Sequence, residues 1–132
     1  PAAAEKRSSL PLATIARLPA DLRQRPVFNH YDYGGPLIFY GIRPFIDGRA
    51  NMYGDSFFAR YNAAEGGDRA AWDQLARQYA IAWTILPRTS PLNRIVEQEH
   101  WPVLYRDAKV AIHVRDPRPG LTEAGQRQTI NR

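Results

Sequence analysis

An apolar run over residues 81–86 is the feature that most limits how this chain can fold. Such a run predicts a strand that is covered on both faces, because a strand with one wet face alternates apolar and polar residues. A helix to cover it is predicted after Asp68, a helix-capping residue. Trp72, Leu75 and Tyr79 recur there at helical spacing and form one apolar face. The run therefore predicts a central strand in a sheet packed against helices.

Four more segments have the composition of strands. Along the chain, segments with helical signals separate the first three predicted strands from one another. Strands alternating with helices are typical of parallel sheets, whereas two strands joined by a short turn form a hairpin. The sequence thus predicts an α/β fold with a three-layer, Rossmann-like sheet whose first three strands are parallel and whose end is an antiparallel β-hairpin. The predicted strands lie at residues 27–29, 44–47, 81–86, 103–106 and 110–114.

The 132 residues, 44% hydrophobic and 23% charged, are enough for one domain with a real core. We predict a single α/β domain over residues 11–116, a disordered tail or linker over residues 1–10, and a flexible tail over residues 117–132. The first residue is not Met, as expected either of a fragment of a longer protein or of a processed chain. No stretch of about 18 apolar residues is present, so the chain as given is not expected to span a membrane.

The net charge of +5 and the absence of cysteine restrict the classes of function. Without cysteine there are no disulfides or thiolate metal sites. The arginines are scattered rather than clustered, so nucleic acid is not expected as a partner, while anionic lipid headgroups and phosphorylated ligands stay open. His30, His100 and His113 lack the spacing of metal ligands, and His113 is expected on the outward face of the last strand. We predict neither a metal nor a cofactor, and no nucleophile motif is present.

Ligands of parallel sheets bind beyond the carboxyl ends of the strands. The segments that follow the first three predicted strands should therefore share one edge, with two carboxylates and two guanidinium groups close enough for at least one Asp–Arg contact. Both a binding role and a purely structural pairing of these residues stay open, and Ser90 is also a candidate helix cap. The candidate binding residues are Tyr31, Asp32, Tyr33, Asp47, Arg49, Tyr53, Arg88 and Ser90.

Two sequence motifs lie in this region. The first motif is Phe28-Asn29-x-Tyr31-x-Tyr33-Gly34-Gly35-x-Leu37-Ile38, and the second is Phe45-Ile46-Asp47-Gly48-Arg49-x-x-x-Tyr53-Gly54. Together they resemble a pattern from the C-terminal soluble domains of multi-pass bacterial membrane proteins, which are similar to glycosyltransferases of the GT-C type. The resemblance covers roughly residues 20–115 and includes the apolar run and the closing hairpin.

A more distant similarity is to the exported C-terminal domain of oligosaccharyltransferase catalytic subunits, through Asp32, Tyr33 and Gly34. The tryptophan pair that precedes this triplet in those enzymes is replaced here by His30 and Tyr31. In the GT-C class the catalytic carboxylates lie in the membrane part, so the resemblance implies a domain that is not catalytic alone.

The resemblance further implies a place on the periplasmic or extracytoplasmic face of a membrane. It implies that the domain binds an acceptor, a glycan, a lipid-linked sugar or a partner, or braces the membrane-embedded part of the same protein. The alternative is a small standalone α/β enzyme for a phosphorylated or anionic substrate, in which Arg49 and Arg88 would clamp the anion and Asp32 or Asp47 would act as base. A purely structural interaction module is the third possibility.

Overall fold

The computed structural model describes residues 12–47 and 54–115. Six α-helices, four strands and one 3-10 turn, Tyr31–Tyr33, lie within these ranges. The tails predicted at residues 1–10 and 117–132 lie outside the described residues. The helices and strands are α1 Leu12–Ala16, α2 Ala20–Arg23, β1 Val27–Asn29, α3 Gly34–Phe39, α4 Asp55–Glu65, α5 Arg69–Gln78, β2 Trp83–Pro87, α6 Leu92–Gln98, β3 Val103–Arg106 and β4 Val110–Val114.

The four strands form one mixed sheet in the order β1-β2-β4-β3. β1 runs parallel to β2, with Val27 opposite Trp83. β4 runs antiparallel to β2 on one side and to β3 on the other. The predicted α/β class and the predicted closing hairpin are therefore confirmed.

The prediction of three parallel strands in a Rossmann-like order is not confirmed. Residues 44–47 form a bend rather than a strand. Their backbone is bonded to a side chain at the end of β1: Oδ1 of Asn29 accepts from the Phe45 N–H at 2.7 Å, and Nδ2 donates to the Ile46 carbonyl at 2.8 Å. Because this segment pairs with an amide side chain and not with a strand backbone, β1 stays at the edge of the sheet and has a single parallel neighbour.

Both faces of the sheet are covered, as the apolar run predicts for its central strand. On one face Trp83 and Ile85 pack with residues of α1, α2 and α3. On the other face Leu86 packs with residues of α4, α5 and α6. The alternating side chains of one strand therefore enter two separate cores, which explains why β2 carries so few polar residues.

Helix α5 begins where the sequence predicts it. The Asp68 carboxylate accepts a hydrogen bond from the Ala71 N–H at 3.0 Å and so caps the first turn. Trp72 and Leu75 lie on its buried face. The cap and the apolar spacing together fix which face of α5 meets the sheet.

His113 is buried, so its predicted position on an outward face is wrong. Helix α6 covers that face of β4, and the His113 Nε2 lies 2.8 Å from Oε2 of Glu97 on this helix. The other ring nitrogen, Nδ1, has no hydrogen-bond partner among the described residues. The sequence pattern of the hairpin could not predict the burial of His113, because it does not indicate which helix covers the last strand.

We predict that acid weakens the fold through His113. Burial is the largest influence and lowers the pKa of this imidazole, against the opposing effect of Glu97. The unfolded chain, with an ordinary histidine pKa near 6.5, then binds more protons than the folded chain. The stabilisation is therefore complete above about pH 6.5 and is lost as the pH falls below that value.

Urea unfolding across this pH range measures the effect, with His113→Gln as the test variant. The wild type should lose stability on acidification, and His113→Gln should lose less of it relative to its own value at pH 7.5. The control is His100→Asn, since His100 is exposed and has a φ of 68°, which Asn tolerates. An unchanged pH dependence in His113→Gln would contradict the assignment.

Candidate functional site

Three loops meet at one edge of the sheet. β1 and β2 are parallel, so both end there, and β4 begins there because Val110 pairs with Pro87. We call this the carboxyl edge; it consists of residues 30–33, 88–90 and 107–109. The topology therefore brings Asp32 and Arg88 to the same side of the sheet, at the ends of neighbouring strands.

The turn after β1 presents an aromatic ring and a carboxylate to solvent. The His30 ring stacks on Tyr31 with 4.7 Å between centroids, and its Nδ1 accepts from the Asp32 N–H at 3.1 Å. Tyr31 is 38% exposed and the Asp32 side chain 51%. Because His30 contacts both residues, the Tyr31 ring and the Asp32 backbone are held in place without a ligand.

Tyr33 lies under this turn rather than on its surface. It is buried with Val27 and Leu37, and its hydroxyl has no partner among the described residues. Burial, with smaller contributions from Asp32 and Asp107, raises the pKa of this phenol to about 12. Tyr33 therefore remains protonated at neutral pH and forms part of the scaffold.

Asp47 is also buried, and its backbone packs against the first residue of α3. A Cβ placed on Gly34 would lie 2.4 Å from Asp47 Cβ and 2.6 Å from its Cα. Glycine is thus required at position 34 by this close approach. The other two candidates in the second motif, Arg49 and Tyr53, lie outside the described residues.

Arg88 and Ser90 both bond to carbonyl groups of neighbouring elements. Arg88 Nη1 donates to the Asp107 carbonyl at 2.7 Å, and Ser90 Oγ donates to the Glu65 carbonyl at 3.2 Å. Ser90 is not the N-cap of α6, because Pro91 occupies that position. Arg88 meets the main chain of Asp107 rather than a carboxylate of the described residues. The expected Asp–Arg contact stays a prediction, because Arg49 lies outside the described residues.

The Asp107 carboxylate closes the β3–β4 turn. Oδ2 accepts from the Tyr105 hydroxyl at 2.6 Å, and Oδ1 accepts from the Lys109 and Val110 N–H groups at 2.8 and 2.9 Å. The Tyr105 bond is the main cause that lowers the pKa of Asp107. This carboxylate therefore orders the carboxyl edge from the hairpin side.

A group of arginines at the opposite edge was missed by the sequence reasoning. Arg23, Arg25 and Arg43 line one cavity beside the start of β1. Two of them stand just before the predicted first strand and the third just before residues 44–47. Their position at the amino ends of two apolar segments could have indicated a shared site. It does so only if the bend at residues 44–47 lies beside β1, which the sequence does not show.

Within residues 12–47 and 54–115, no group of three or more His, Cys, Asp or Glu side chains could hold a metal ion. Over the same residues, no helix is both long enough and apolar enough to cross a membrane. Comparisons of the chain with protein-family models, with curated proteins and with solved structures found no match. Fold and site together define an α/β domain with a mixed four-stranded sheet and an ordered, solvent-exposed carboxyl edge.

Proposed function

We propose that this chain is the extracytoplasmic soluble domain of a membrane-embedded, GT-C-like glycosyltransferase, and that it binds a glycan or glycan acceptor at Tyr31 and Asp32. It works with the membrane-embedded part of the same protein, which would supply the catalysis. The two motifs that carry the family resemblance support this proposal. The observation that carries the binding role is the exposure of an ordered aromatic ring beside a carboxylate.

The chemistry of these two groups suits a sugar. A tyrosine ring offers a flat apolar face with a polar tip, and a carboxylate accepts hydrogen bonds from hydroxyl groups. One face of the Tyr31 ring is already stacked on His30, so little conformational freedom remains to be lost on binding. A sugar ring with an apolar face and hydroxyl groups along its rim can contact Tyr31 and Asp32 at once.

We assign catalysis to the membrane part because no nucleophile paired with a general base is found among the described residues of this region. Tyr33 is buried and stays protonated, and Asp47 is buried against Gly34. In the alternative, a standalone enzyme, Arg88 would clamp an anion, yet one of its N–H groups already donates to the Asp107 carbonyl. These contacts favour binding over chemistry at the carboxyl edge.

We predict that Tyr31→Ala lowers glycan affinity at least tenfold, since the aromatic face is lost. Tyr31→Phe should keep most of the affinity because it keeps the ring. The measurement is a titration followed by NMR, with neutral and acidic hexose and N-acetylhexosamine oligosaccharides as ligands. The control is Phe39→Ala, because Phe39 is also an exposed aromatic residue but lies at the last position of α3, away from the carboxyl edge. Equal losses in both alanine variants would contradict a site at Tyr31.

We also predict that the isolated chain transfers no sugar from lipid-linked donors and hydrolyses no sugar phosphate. Product formation is followed by mass spectrometry on a purified sample. Turnover that disappears in Asp32→Asn or Asp47→Asn but persists in Asp73→Asn would overturn the proposal in favour of the standalone enzyme. Asp73 is a suitable control because it lies on α5, away from the carboxyl edge.

A further inference from the structure

The cavity lined by the three arginines has a volume of about 640 Å³ and lies at the edge of the sheet opposite Tyr31 and Asp32. It opens beside the start of β1, where Pro26 and Val27 form part of its wall. We call it the amino-edge pocket. The side chains that give it its chemistry are Arg23, Arg25, Arg43, Phe45, Phe57 and Tyr79.

The amino-edge pocket carries excess positive charge. Its described lining contains three guanidinium groups and no carboxylate. Arg25 has an ion pair with Asp21 at 3.6 Å, and Arg23 donates to the Tyr40 carbonyl at 3.1 Å. Arg43 is exposed and has no side-chain hydrogen bond or ion pair with the residues the structure describes. Among the described residues, Arg23 and Arg43 therefore have no carboxylate that neutralises them.

An aromatic wall faces these cations. The Phe45 ring lies 5.4 Å from Phe57 and 5.1 Å from Tyr79 between centroids, the latter contact being edge-on. Phe45 is also tied to the end of β1, since its N–H donates to Asn29. Phe45 and Phe57 pack against the core, and with Tyr79 they offer an apolar surface next to the charge.

We propose that the amino-edge pocket binds the phosphate group of a phosphorylated ligand, with the aromatic wall contacting the carbon skeleton of that ligand. Guanidinium groups match phosphate geometry with paired N–H donors, and converging cations favour an anion over a neutral ligand. The amino-edge pocket is separate from the glycan site, because none of its lining residues lies at the carboxyl edge. The experiments on phosphate binding can therefore fail without affecting the glycan site at Tyr31, and the reverse is also true.

Phosphate of this kind has two sources, a soluble phosphate ester or the headgroup of an anionic lipid. Phe39 and Ile38 are relevant to a lipid source because they lie at the end of α3, just before the pocket residue Gly41. Phe39 is 75% exposed and Ile38 51%. If the phosphate belongs to a lipid, this apolar pair is placed to contact the membrane surface.

The first experiment titrates the ¹⁵N-labelled chain with inorganic pyrophosphate. Saturable shifts are expected at the backbone amides of residues 23–25 and 41–43, and at those of Val27 and Phe45. Arg43→Gln should weaken binding at least fivefold, because a phosphate contact is lost. Arg94→Gln is the control, since it removes the same charge from an exposed residue of α6. Equal weakening by both variants would show general charge attraction and overturn the proposal.

The second experiment measures co-sedimentation with phosphatidylcholine vesicles, with and without phosphatidylglycerol. Binding that needs phosphatidylglycerol and is lost in both Arg43→Gln and Phe39→Ser assigns the phosphate to a lipid. Pyrophosphate binding without vesicle binding assigns it to a soluble ligand. Either outcome supports the amino-edge pocket as a phosphate site. Absence of both, or shifts confined to residues outside the pocket, would overturn it.

Discussion

Gly34→Ala should destabilise the domain by about 3 kcal/mol, because the added methyl has no room. An alanine Cβ at this position would lie 2.4 Å from Asp47 Cβ and 2.9 Å from the Ile46 carbonyl oxygen. Two of its three nearest neighbours are backbone atoms, which cannot rotate away as a side chain can. The bend at residues 44–47 would have to move off α3 to make space.

The neighbouring glycine provides a matched control. A Cβ on Gly35 would meet nothing within 4 Å. Gly35→Ala should therefore leave stability unchanged or raise it by up to about 0.5 kcal/mol, because alanine is the better helix former. Urea unfolding monitored by circular dichroism compares the two variants. If Gly34→Ala and Gly35→Ala unfold at the same urea concentration, the close approach of α3 to Asp47 is wrong.

The parts of the fold that the sequence predicted are those with strong local signals. The apolar run over residues 81–86 predicted a strand buried on both faces, and β2 is that strand. The capped, periodic segment after Asp68 predicted α5, and two strand-like segments around a short turn predicted the hairpin. In each case the deciding residues lie within a few positions of one another.

The strand predicted at residues 44–47 failed for a physical reason. A short apolar segment suits a strand and a buried bend equally well, since both hide the same side chains. The outcome depends on Asn29, whose side chain bonds to Phe45 and Ile46 from 16 and 17 residues away. A contact of that range cannot be seen in local composition, and without it the count of parallel strands came out one too high.

The sequence predicted that Asp32 and Arg88 share one edge of the sheet, but not which candidate residues are buried. Strand order put Tyr31, Asp32 and Arg88 at one edge, whereas the burial of Tyr33 and Asp47 depends on how α3 and the bend pack. Many residues of the two motifs hold the binding site in position and do not themselves lie on the surface. Asn29 and Gly34 position the bend and the turn, and Tyr31 and Asp32 remain on the surface.

Asn29→Ala should cost about 4 kcal/mol, because the buried side-chain amide bonds to four backbone groups and all four bonds are lost. Oδ1 accepts from the Phe45 N–H at 2.7 Å and from the Ile46 N–H at 3.5 Å, and Nδ2 donates to the carbonyls of Ile46 and His30, both at 2.8 Å. Removing the amide leaves these groups unpaired in a region where Asn29 itself is fully buried. Asn62→Ala, at an exposed position of α4, should change stability by less than about 0.5 kcal/mol.

Asn29→Asp tests whether the hydrogen bonds themselves carry the effect. Aspartate keeps the shape and the acceptor oxygen but replaces the donating NH₂ with an oxygen that faces two carbonyl oxygens. Its carboxyl pKa should therefore be higher in the folded chain than in the unfolded chain. The loss relative to wild type should then shrink as the pH falls, because protonation restores one donor. A loss that is the same at pH 7.5 and pH 4.5 would mean that Asn29 acts through its shape alone.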